Sequence, residues 1–142
     1  MKKANRIITG ILGISMFMFG ALKFINPFKG WYSTQIIKSE LPFPTLSFWS
    51  GQIGEMLIGL SLLYILFIRT KISKRNFNRI FTLSNISIVV LMIVAFYVHL
   101  HPNVPAEILP LKISHPYIPG IFLLLAILNL YLKNDKMDGN FY

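Results

Sequence analysis

The chain contains no cysteine, little acid and few charges of either sign. Without cysteine, its own side chains cannot form disulfides, thiolate metal sites or iron–sulfur ligation, and they cannot run dithiol chemistry. Only 13% of its 142 residues are charged, well below the roughly 25% of a soluble domain. That is too little charge to cover a water-facing surface, which excludes an ordinary soluble globular protein. Disorder is excluded by the opposite excess: hydrophobic residues make up 54% and the mean hydropathy is +0.60. Proline is missing from every long apolar stretch beyond its first turn. All eight prolines fall in two segments, Pro27 to Pro44 and Pro102 to Pro119, which therefore read as loops or helix starts.

Four apolar stretches remain, at 7–24, 48–68, 80–98 and 117–132. Each approaches the roughly 20 residues that a helix needs to cross about 30 Å of hydrocarbon. Helices are required there, because lipid offers no partner to backbone N–H and C=O groups. The expected fold is all-α: a polytopic four-transmembrane-helix bundle over residues 1–133, with a polar cytoplasmic tail at 134–142. The length leaves little room for a second domain. The apolar run after Lys2, Lys3 and Arg6 is long and no small-residue cleavage site follows it, so it is read as a retained span. Lipidation signals are absent, since there is no cysteine and the second position holds Lys2 rather than a glycine.

The net charge of +9 would suggest nucleic acid in a soluble protein. Here its distribution sets orientation. Lys2, Lys3, Arg6, Arg69, Lys71, Lys74, Arg75, Arg79, Lys133 and Lys136 fall on one side, and only Lys23, Lys29, Lys38 and Lys112 on the other. The positive-inside rule then puts both termini in the cytoplasm and the two Pro-rich loops outside. Trp31, Tyr32, Trp49 and Tyr117 would form an outer aromatic belt. Residues 30–39 would form a short helix lying on the outer leaflet. The basic run 69–75 reads as an orientation signal and an anchor to lipid phosphates. The expected location is the plasma (inner) membrane, multi-pass, with the lipid bilayer as first partner and no nucleic acid.

Polar groups at membrane depth carry the functional signal, since each costs a few kcal/mol unless paired or wet. At 1.5 Å per residue, Lys23 lies about 25 Å above Arg6, Glu55 about 21 Å above Arg69, and His99 about 30 Å above Arg79. All three converge on the outer half. Helical spacing places Gly13, Met16, Gly20 and Lys23 on one stripe. Gly51, Gln52, Glu55 and Gly59 form a second, and Asn85, Ile88, Met92, Ala95 and His99 a third. Turned inward, they enclose a polar pocket under the outer loops, with Lys23, Glu55, His99 and Gln52 as its candidates. Asn85 and Asn129, near the inner ends, are placed to hydrogen-bond across the bundle. Lys23–Glu55 has two open readings: an ion pair that fixes register, or an acid–base or ligand site. His101, Glu107 and His115 are loop candidates. His99-x-His101 with His115 could hold a metal, but no cysteine or dense carboxylate cluster supports one, so no metal site is expected. No catalytic residue is assigned.

Three segments carry a family resemblance. They are Phe19-Gly20-Ala21-Leu22-Lys23-Phe24, Gly54-Glu55-Met56-Leu57-Ile58-Gly59, and the run from His99-Leu100-His101-Pro102 through Pro105-Ala106-Glu107 to Pro110-Leu111. In this order, over roughly residues 6–132, they resemble the DoxX-like family of small bacterial four-helix membrane proteins. The resemblance implies functional positions at Lys23, Glu55 and His99. Named relatives in that family include components of membrane-associated redox complexes, so the first functional expectation is an accessory role in a quinone-linked redox system, with the pocket taking a quinone headgroup or a small oxyanion. Quinone would then be a non-covalent cofactor, with no covalently bound one, and the partners would be membrane or redox proteins or a second copy of the chain. A non-enzymatic assembly factor or scaffold is the alternative, and a small permease the third.

Overall fold

The computed structural model describes residues 1–134; the rest of the expected tail, with Lys136, lies outside the described residues. The described residues are helical with no strand. Five α-helices follow one another: α1 Lys3–Leu22, α2 Phe28–Lys38, α3 Pro44–Ile68, α4 Lys74–Leu100 and α5 Tyr117–Asn134. Two single 3₁₀ turns, Ala106–Ile108 and Pro110–Lys112, punctuate the long connection before α5. The helices α1, α3 and α4 are long and apolar enough to cross a membrane, whereas the apolar part of α5, Tyr117–Lys133, is shorter than that length.

The helices overrun their apolar stretches. Before residue 80, the polar run from Lys74 to Arg79 continues α4 downward, because lysine, arginine and asparagine are compatible with a helix even where they are incompatible with lipid. Ser73 starts α4 by accepting the Asn76 backbone N–H on its hydroxyl at 3.3 Å. Pro44 starts α3 at the first helical position, where its missing N–H costs nothing. Only α1 ends earlier than its apolar run, at Leu22, with Lys23 as its C-cap.

Packing follows the small residues. A side-chain carbon on Gly59 of α3 would strike the backbone of Phe17 and Gly13 on α1, and one on Gly20 would lie 2.8 Å from the Met56 backbone nitrogen. The two backbones therefore touch, as small residues allow in lipid. Between them and α4 lies a core of Leu12, Met16, Leu62, Ile65, Phe81 and Ile88. The opposite helix faces carry exposed Ile7, Ile11, Ile14, Leu57, Leu60 and Val90, which is the disposition of a lipid-facing surface.

One polar layer crosses the basic end of the bundle. Asn129 on α5 donates from Nδ2 to Thr9 Oγ1 and to Asn85 Oδ1, both at 3.1 Å, and Asn5 Nδ2 donates to Asn129 Oδ1 at 3.0 Å. Asn85 Nδ2 donates to the Phe81 carbonyl at 2.8 Å. The Asn85–Asn129 bond is the one that the sequence places there. Thr9 and Asn5 extend it to α1, one turn and two turns below Leu12 and Gly13 on the same face.

Gly59→Ala should separate α1 from α3 and lower stability by about 2 kcal/mol or more, the scale of an overpacked core. Gly54→Ala, where a side-chain carbon meets nothing within 4 Å, should leave stability unchanged or raised. Denaturant unfolding in detergent micelles compares the two.

Candidate functional site

The site is built where α1 stops. Its last turn delivers Lys23 to the middle of α3, and two residues one turn apart on α3 take hold of it. Glu55 accepts the ammonium, with Nζ 2.6 Å from Oε1. Gln52 donates from Nε2 to the Lys23 backbone carbonyl at 3.2 Å, which satisfies one of the carbonyls that a helix end leaves free. Side chain and backbone of the same lysine are thus fixed to one helix face.

The third partner comes from α2. The Lys23 ammonium lies 4.1 Å from the centroid of the Tyr32 ring, within cation–π range. The Tyr32 hydroxyl donates toward the carbonyls of Phe48, at 3.2 Å, and Ser47, at 3.3 Å. Its ring packs on Phe48 with centroids 5.2 Å apart. Gly51 is required here, because any side chain on it would occupy the position of the Tyr32 hydroxyl. Burial holds the Tyr32 phenol protonated well above its usual range, and the Glu55 charge pushes the same way. Tyr32 therefore turns inward, unlike Trp49 and Tyr117, which are exposed as an aromatic belt requires.

A cavity of about 690 Å³ lies beneath α2 and the 106–112 connection. Its walls are mostly apolar, with Phe19, Met16, Met92 and Phe122 at depth. The polar groups facing it include Lys23, Tyr32, Gln35, Glu55 and His99. Gln35 Nε2 donates to the Ile108 carbonyl, tying α2 to the connection and closing the roof. Gln52 stands behind the wall and holds Lys23 from there. Three buried side-chain atoms have no hydrogen-bond partner among the described residues: Gln52 Oε1, Glu55 Oε2 and His99 Nδ1. All three belong to this end of the bundle. Buried polar atoms are nearly always satisfied, so their gathering at one end makes that end the candidate site.

The loop candidates do not join this group. His101 turns back on its own loop, its Nδ1 accepting the Asn103 backbone N–H at 3.3 Å. Glu107 is exposed in the first 3₁₀ turn. His115 is exposed and stacks on Tyr117 at 5.5 Å. Among the described residues no group of three His, Asp or Glu side chains is placed to hold a metal ion. Sequence reasoning missed the roles of Tyr32 and Gln35. The available signal was the 4-3 spacing of Tyr32, Ile36 and the cap residue Ser39, which gives α2 one inward face with Gln35 at its edge.

No protein-family profile, no curated protein and no solved structure matches this chain.

Lys23→Ala leaves the Glu55 carboxylate buried without its cation, and should cost about 3 kcal/mol of stability. Changing both, Lys23→Met with Glu55→Met, should recover most of that loss, and a double-mutant cycle in micelles measures the coupling. The raised Tyr32 pKa has a defined sign. Its stabilisation is complete below the unfolded-chain value of about 10 and is lost as pH rises above it. Tyr32→Phe should therefore soften the alkaline fall in stability, read as melting temperature against pH.

Proposed function

We propose that this is a DoxX-like integral membrane protein of four spans, with both termini in the cytoplasm, and that it serves as an accessory subunit of a quinone-linked redox system in the plasma membrane. The cavity holds the quinone headgroup. The observation that carries this reading is the Lys23–Glu55 ion pair on the wall of a mostly apolar cavity of about 690 Å³, a size and character typical of small-molecule sites. Three further features support it. The basic residues collect at the end remote from the cavity, which orients the cavity outward. The helix α5, though short, packs along α4 and touches α1, so slight tilting of its neighbours completes a fourth crossing. The three segments that carry the family resemblance contribute Lys23, Glu55 and His99, all of which line this cavity.

The chemistry follows from the groups present. A quinone carbonyl oxygen would accept from the Lys23 ammonium, with the His99 ring beside it on the cavity wall. Glu55, with one oxygen engaged and the other without a partner among the described residues, would relay protons between the head and the outer aqueous phase as electrons enter or leave it. The chain binds, orients and handles protons. Electrons come from the partner redox protein of the same complex.

Purified protein in lipid nanodiscs should bind a labelled quinone analogue saturably. Glu55→Gln and Lys23→Ala should each weaken binding about tenfold, equivalent to about 1.4 kcal/mol. Binding unchanged by both substitutions overturns the reading. Absent binding, together with a membrane-protein client crosslinked in native membranes, replaces it with the assembly-factor role.

A further inference from the structure

The cavity has one side that the helices do not close. Phe19 of α1 and Phe122 of α5 meet edge to face at 5.7 Å and seal the wall between those helices. The roof is α2, fixed through Gln35 and Tyr32. The depth is filled by buried Met16 and Met92. Apart from Phe28 on the roof, the exposed wall residues gather between α3 and α4. They are Pro42, Phe43, Leu46 and Ser50 from α3 and its approach, Val94 from α4, and Pro110 and Leu111 from the connection above. Leu46, Val94 and Leu111 are 65%, 40% and 78% exposed while also lining the cavity, so they form its rim. Val94 lies about 9 Å below the end of α4 at 1.5 Å per residue, and it continues an apolar outer face through Val90 and Ile93. This rim therefore opens onto hydrocarbon rather than onto water.

The charge at the far end restricts what can enter. Among the described residues, Lys23 and Glu55 are the only ones of fixed charge on the cavity wall, and they neutralise each other. An anionic or cationic head would add an uncompensated charge to an apolar enclosure, at a steep cost. An uncharged head with hydrogen-bonding atoms adds none. It also meets the remaining N–H donors of Lys23.

Building on the function proposed above, we propose that the cavity is loaded sideways from the bilayer, through a portal between α3 and α4 rimmed by Leu46, Ser50, Val94 and Leu111, and that it accepts an amphiphile with an uncharged polar head and an apolar chain. The head rests against Lys23 and Glu55. The chain leaves through the portal into lipid. Leu46 and Val94 set the rate of entry without touching the head.

Trp31 lines the cavity and Trp49 does not, so Trp49→Phe leaves a single tryptophan as reporter in the full chain. The probe is a decyl-chain benzoquinone delivered from vesicles to protein in liposomes, read as the saturable quenching of Trp31 in stopped flow. Leu46→Phe with Val94→Phe should slow quenching at least about fivefold with its final amplitude kept, since a gate changes rates more than equilibria. Val94→Ala should speed it, and the lipid-facing control Ile14→Phe should leave it unchanged. Saturable quenching at wild-type rates in all these variants overturns the portal while leaving the quinone reading intact. No saturable quenching in the Trp49→Phe chain itself overturns both. Decyl phosphate, with the same chain and an anionic head, should fail to compete; stoichiometric competition by it overturns the uncharged-head assignment.

Discussion

The Lys23–Glu55 ion pair is the contact on which the rest of this end of the molecule is arranged. A lone carboxylate on α3 is intolerable in hydrocarbon, and a lone ammonium on α1 is little better. Brought to 2.6 Å, they satisfy each other, and the demand for that distance propagates. It requires α1 to end at Lys23 so that the chain can turn away. It requires α1 and α3 to approach until their backbones touch at Gly20 and Gly59. It requires an aromatic face over the ammonium, which Tyr32 provides, and a glycine at position 51 to make room for that tyrosine. Each of these residues would be ordinary alone. Together they form one mutually dependent set.

The two ends of the bundle are built on opposite principles. At the basic end, Asn5, Thr9, Asn85 and Asn129 satisfy one another across three helices. A fully bonded network of that kind is rigid and specifies a single packing. At the other end, polar atoms of Gln52, Glu55 and His99 lack partners among the described residues, and a large cavity opens beside them. Rigidity below and unmet hydrogen-bonding capacity above is the arrangement expected of a scaffold that holds a binding site.

Much of this was legible in the sequence, for reasons that can be named. The all-helical character and the inward stripes follow from hydrophobicity and the 3.6-residue period, which leave little choice for Gly13, Met16 and Gly20 or for Glu55 and Gly59. The convergence of Lys23 and Glu55 followed from counting residues along two helices. Helix limits were less legible, because an apolar run reports where lipid is and not where backbone hydrogen bonding stops; α4 begins at Lys74, six residues before its apolar run. Tyr32 is ambiguous in the sequence because an amphipathic side chain suits an interface and a buried site equally, and only the tertiary position of Phe48 and Gly51 decides between them. The connection 101–116 was opaque. Its histidines and Glu107 have the right chemistry for a site, but their directions depend on 3₁₀ turns and on Leu111 and Lys112 at positive φ, which local spacing does not encode.

The neutrality of the buried pair has an electrical consequence. Moving one elementary charge through a membrane potential involves about 2.3 kcal/mol per 100 mV. A lysine and a glutamate that carry opposite charges at nearly one depth contribute almost nothing to that work. An uncharged guest adds nothing either. Under the function proposed above, occupancy of the cavity would then be decoupled from the membrane potential, so an energised and a de-energised membrane would fill it alike. Glu55→Gln would end that indifference, because the lysine is then left as a net positive charge inside the field.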